Sequence, residues 1–216
     1  MLKRIYYSIP NIILRYSWPA KLFFKTKHQV VDRFSKPPIL IYQMGKVGSA
    51  AIKESLSQYK LGRSIYHVHN LIHHQAIKDL KWHLDRSGAS RRYDGLWNSL
   101  YLSKQVAQSA PVQKWTVITL VREPVGRNIS GFFQVMDRLN PEFMVEGSQR
   151  ETDINKILKS FLTDNTHHSV PLSWFDRQLK TVFGIDVFDV PFNHQKGYQI
   201  YENERAKAVS YTHLTL

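Results

Sequence analysis

The segment that most constrains this chain is Ile39 to Val68. An apolar run, Ile39 to Gln43, feeds a turn with two glycines, Met44-Gly45-Lys46-Val47-Gly48. A helical pattern begins at Ser49, with Ile52, Leu56 and Tyr59 on one face, and Gly62 is expected to end it. Ser64 to Val68 then reads as a second strand. Strand, helix and strand within about thirty residues make a βαβ unit, which requires the two strands to run parallel.

The rest of the chain continues the alternation. Ile72, Ala76, Leu80 and Leu84 recur every four residues, and a further helix is expected around Leu96 to Gln108. Trp115 to Val121 is the strongest strand signal, being β-branched and apolar. It runs into Arg122-Glu123-Pro124, and Pro124 suits the first turn of a helix. Val125, Ile129, Phe132, Phe133 and Met136 follow as an apolar stripe. Ile154, Ile157, Leu158, Phe161 and Leu162 mark one more helix, and Leu172, Phe175, Leu179 and Val182 another, capped by Gly184. Ile185 to Val190 and Gly197 to Tyr201 are candidate strands. The expected fold class is α/β, a three-layer P-loop-like domain around a central parallel sheet. Its 216 residues, 43% of them hydrophobic, suffice for one such core.

The ends read differently. Residues 1–36 form a basic, apolar arm whose longest uncharged run, Ile5 to Leu14, contains Pro10. A membrane span needs about 20 apolar residues, so contact with an anionic membrane surface is the alternative to plain packing. Residues 37–208 form the domain, and 209–216 resemble a translated adaptor scar with no fold signal. On that reading the domain is truncated after about Ala208.

Two sites carry chemistry. In the first, glycines let backbone N–H groups approach an anion, a helix N-terminus adds donors, and Lys46 adds a full charge. This spelling departs from the kinase-type loop, because no Gly-Lys-Ser/Thr is present. In the second, Arg122 ends a parallel strand, and Arg127 and Ser130 share a helical face. An arginine fork with a hydroxyl suits a phosphate monoester. The net charge of +13 fits an anionic partner, and the absence of cysteine excludes thiol chemistry and disulfides.

Together, Gln43-Met-Gly-Lys-Val-Gly-Ser49 and Arg122-Glu-Pro-Val-Gly-Arg127-Asn-Ile-Ser130 resemble the two motifs of the sulfotransferases that use 3′-phosphoadenosine-5′-phosphosulfate (PAPS). The closest likeness is to carbohydrate sulfotransferases of the Golgi type and their bacterial capsular-polysaccharide relatives. The resemblance implies that Lys46 and the backbone of Gly45, Lys46, Val47, Gly48, Ser49 and Ala50 hold the 5′-phosphosulfate. It implies that Arg122 and Ser130 hold the 3′-phosphate, and that Lys46 acts in catalysis. It also implies in-line sulfuryl transfer to a hydroxyl, without metal, releasing adenosine 3′,5′-bisphosphate (PAP).

The base is sought among histidines. His67 and His69 lie at the end of the second strand, and would share a face were that strand to continue through His69; an unperturbed imidazole, with a pKa of about 6.5, suits proton abstraction at neutral pH. His69 is preferred. His73, His74 and His83 are nearby, whereas His167, His168 and His194 read as loop residues. His-x-His could bind zinc, but no clean third ligand is evident. The expected partner is a carbohydrate or other hydroxyl acceptor, with no nucleic acid, in a cytoplasmic protein at most peripheral to the membrane. The rival readings are a kinase with an atypical P-loop and a non-enzymatic module that binds polyanions.

Overall fold

The computed structural model describes residues 22–26, 36–85, 93–108, 114–139, 154–163 and 168–212. The βαβ unit forms as expected. Strand β1 (Lys36–Tyr42) leads into helix α1 (Ser49–Gln58), which returns to β2 (Arg63–Val68), and the two strands pair in parallel. The helix ends earlier than Gly62, with Tyr59 extended as its C-cap, and Gly62 takes its positive φ of 62° in the turn beyond. Helices α2 (His73–Asp85) and α3 (Tyr93–Gln108) follow, then β3 (Trp115–Val121) and α4 (Pro124–Leu139).

Helix α5 is Ile154–Thr163. Helix α6 starts as Val170–Trp174, widens to a π-helical segment at Phe175–Lys180 and closes with Thr181–Phe183. Gly184, at φ 70°, caps it in the left-handed conformation that a side chain resists. The described residues close with β4 (Tyr198–Glu202) and β5 (Ala206–Thr212).

These strands make an α/β fold with one five-stranded sheet, ordered β2-β1-β3-β5-β4 and flanked by helices. The expected central parallel sheet is mostly parallel, and only β4 runs antiparallel, because the short link from Glu202 to Ala206 allows only a hairpin. Ile185–Val190 is no strand but irregular chain with bends from Val187 to Val190, anchored where Tyr201 donates to the Val187 carbonyl at 3.1 Å. Val209–Thr212, expected to carry no fold signal, complete β5 between β3 and β4. Strand pairing uses backbone groups that every residue supplies, and Ala206, Ala208 and Ser210 place small side chains inside.

The core described by these contacts packs one face of the sheet on α6. Leu40, Tyr42, Tyr66, Val68 and Val117 pack with Trp174, Phe175, Leu179 and Phe183. At residues 22–26, the only described helical turn of the arm, Phe24 is buried and stacks on Trp97 at 5.9 Å beside Leu80. The apolar stripe of α4 is only partly core: Phe132 is buried, while Val125, Ile129 and Phe133 are exposed. Periodicity shows which residues share a face, and other elements decide whether that face is covered. Among the described residues no helix is long and apolar enough to cross a membrane.

A buried polar contact joins β1 to α6. The Tyr42 hydroxyl donates to Gln178 Oε1 at 2.6 Å, and that oxygen also accepts from Leu71 N at 3.3 Å. Burial raises the Tyr42 pKa, so the phenol stays neutral. Tyr42→Phe should lower unfolding free energy by about 0.5–1.5 kcal/mol, the ordinary worth of such a bond. A urea midpoint equal to that of the wild type would show that the contact contributes nothing.

Candidate functional site

The sheet order places β1 between β2 and β3, so the chain leaves β1 toward one edge and later returns on its other side. The crevice beyond the carboxyl ends of β1 and β3 is therefore a topological switch point, where open α/β sheets bind ligands. The turn after β1 carries Lys46, and the turn after β3 carries Arg122.

Val47 is fully buried and pins the first turn to the core. Lys46 at φ 72° and Gly48 at φ 82° are left-handed on either side of it. Lysine in this conformation costs roughly 1–2 kcal/mol, so surrounding contacts must hold it. Turns of this kind gather backbone N–H groups into an anion-binding concavity. Gly48 is also the N-cap of α1, which has no side-chain cap and no acidic residue in its first turn. A Cβ at Gly45 would meet nothing within 4 Å, so the approach to the turn is open there.

Arg122 reaches this turn. Its Nη1 donates to the Lys46 carbonyl at 3.3 Å, which places the strand-end arginine on the backbone of the first turn. Glu123 caps α4, its carboxylate accepting from the N–H groups of Val125 (2.9 Å) and Gly126. That helix end is thus closed by its own carboxylate, and the remaining polar side chains of the second motif are Arg122, Arg127, Asn128 and half-buried Ser130. Arg127 is not part of an open phosphate fork. It is buried, and its Nε donates to the Gly45 carbonyl at 3.1 Å.

The two histidines stand side by side, with ring centroids 4.8 Å apart. His67 is half-buried, and its Nε2 lies 2.8 Å from both Gln43 Nε2 and Ser49 Oγ. Gln43 Nε2 donates to Ser49 Oγ at 2.5 Å, closing a compact cluster. The Ser49 hydroxyl is therefore turned toward the strand ends. His69 is exposed, with Nδ1 at 2.9 Å from the Gln43 carbonyl. A carbonyl only accepts, so Nδ1 carries the hydrogen and the neutral ring has its lone pair on Nε2. His69 thus has the tautomer of a base, and the Nε2 of His67 is engaged by Gln43 and Ser49. Trp174 Nε1 donates to the His69 carbonyl at 3.2 Å, so α6 steadies this strand end.

Three further histidines make contacts away from this turn. His73 Nδ1 bonds Ser103 Oγ at 2.9 Å toward α3, and His194 lies edge-on to Phe192. His168, expected as a loop residue, bridges Asn128 to the Phe161 carbonyl. Among the described residues no three His, Asp or Glu side chains gather as a metal site would require. Sequence reasoning quoted Gln43 and Asn128 within the two motifs without giving them a role, and missed Trp174 and Gln178. Only Gln43 left a local trace, as a polar residue ending an otherwise apolar strand.

The geometry amounts to a helix start without a side-chain cap, a left-handed turn carrying Lys46, and Arg122 on that turn's carbonyl, beside an imidazole whose Nδ1 is held by the Gln43 carbonyl. Such a set can hold an anionic group and remove a proton from a neighbouring hydroxyl. Residues 149–215 match the family model NKWYS, described as "Putative capsular polysaccharide synthesis protein". No curated protein and no solved structure gave a match.

Proposed function

We propose that this chain is a PAPS-dependent sulfotransferase of P-loop-like architecture that acts on a carbohydrate hydroxyl. The observation that carries the reading is the meeting of the two motifs: Arg122 on the Lys46 carbonyl at the β1–β3 switch point, with His69 held on Gln43, which leads into the turn. The capsular-polysaccharide family match over residues 149–215 supports a carbohydrate acceptor.

In this reading the N–H groups of Gly45 to Ala50 and the ammonium of Lys46 hold the 5′-phosphosulfate, and Arg122 and Ser130 hold the 3′-phosphate. PAPS supplies an activated sulfuryl group. The acceptor oxygen bonds to sulfur as the bond from sulfur to the 5′-phosphate oxygen breaks, and His69 Nε2 takes the acceptor proton. Lys46 meets the negative charge that gathers on the departing oxygen.

Calorimetric titration with PAP tests the assignment. The wild type should bind, and Arg122→Ala should weaken PAP by roughly 1.5–3 kcal/mol, the loss of a charge-assisted hydrogen bond. That is about 10- to 150-fold in Kd. Transfer should persist in excess EDTA, whereas a kinase would stop. Binding of polyanions with steep salt dependence and no preference for PAP would identify a binding module instead.

A further inference from the structure

We propose that Arg127, Asn128 and His168 form a positioning relay that sets the shape of the Gly45–Gly48 turn and couples it to the end of α5. The inference deepens the nucleotide-site reading, on which only its ligand arm rests.

Arg127 and Asn128 are each 6% exposed, and burial lowers the Arg127 pKa, so this cation sits where charge is disfavoured. It is held there by acceptors. Nε donates to the Gly45 carbonyl at 3.1 Å, and Nη1 donates to Asn128 Oδ1 at 3.0 Å. With Oδ1 so occupied, Asn128 Nδ2 faces His168 Nδ1 at 3.2 Å. His168 Nε2 faces the Phe161 carbonyl at 2.7 Å. That carbonyl can only accept, so Nε2 carries the hydrogen and Nδ1 accepts from Asn128. Every member of the chain thereby has one orientation, from the Gly45 carbonyl through to the last turn of α5.

The consequence falls on the turn. A peptide unit is planar, with its carbonyl and N–H pointing opposite ways. Fixing the Gly45 carbonyl on Arg127 fixes the direction of the Lys46 N–H. Arg122 on the Lys46 carbonyl does the same for the Val47 N–H. Two arginines thus hold two consecutive carbonyls and turn the adjacent N–H groups away from themselves. They also brace Lys46 at its costly φ of 72°. Arg127 reaches both Gly45 and Asn128 because a guanidinium has several donors in a fixed plane, which a compact ammonium lacks.

The test compares wild type, Asn128→Ala, His168→Ala, the double variant and His168→Gln. The readouts are the backbone amide resonances of Lys46 to Ala50 and PAP titration. Arg127→Lys is the direct variant, and the Asn128 and His168 variants decide the matter should it fail to fold. The Lys46, Val47 and Gly48 resonances should move together in each alanine variant while those of β4 stay in place. PAP Kd should rise about 5- to 10-fold, the worth of roughly 1 kcal/mol. The double variant should be no worse than either single one, as for members of one network. His168→Gln, which can accept and donate, should move the resonances back toward wild type. Unmoved turn resonances in both alanine variants would overturn the relay, as would independent, additive effects on them. If the wild type binds no PAP, the nucleotide reading falls, and the resonances still decide the relay.

Discussion

Lys46→Ala should lower kcat by about 100-fold or more at saturating PAPS, the cost of removing one preorganised stabiliser of developing charge. PAP binding should weaken much less, because an interaction that strengthens in the transition state acts on rate more than on ground-state affinity. Lys46→Gly separates charge from backbone strain. Glycine adopts φ 72° freely, so this variant should be more stable than Lys46→Ala by about 1 kcal/mol and equally slow. Steady-state kinetics with thermal unfolding of both variants checks this. Full kcat in Lys46→Ala would reduce the turn to a binding element.

What the sequence disclosed about this site follows from the range of the interactions. The turn after β1 was legible because its signals are local: Gly45 and Gly48, an apolar strand before them and a helical period after them. Arg122 was legible through its place after the strongest strand, and β1 and β3 do pair in parallel. The direction of Arg127 was not. Helical spacing puts it with Ser130, yet its partner is a carbonyl 82 residues earlier. The Tyr42–Gln178 contact spans 136 residues, and no local pattern announces it. The place of β5 was hidden for another reason. A strand lined inside by Ala206, Ala208 and Ser210 has little apolar contrast to read, although it pairs with β3 along its full length. The exposed stripes Val125, Ile129, Phe133 and Ile154, Leu158, Leu162 show the converse, since apolar periodicity there does not coincide with burial.

The histidine pair separates chemistry from architecture most sharply. His69→Ala should lower kcat by roughly 10²- to 10⁴-fold, the usual contribution of a general base. PAP affinity should stay near that of the wild type, because a base meets the acceptor and not the nucleotide. The limb of the pH–rate profile that requires an unprotonated imidazole should disappear with it. His67→Ala should behave differently. His67 bonds Gln43 and Ser49, which bracket the turn, so its loss should weaken PAP and slow turnover together while the pH limb persists. The two variants therefore trade places if the assignment is inverted. Retained kcat in His69→Ala, with the pH limb lost only in His67→Ala, would make His67 the base and His69 its neighbour. Such a result would require Gln43 and Ser49 to release the Nε2 of His67 when the acceptor binds, because both stand 2.8 Å from it in this structure.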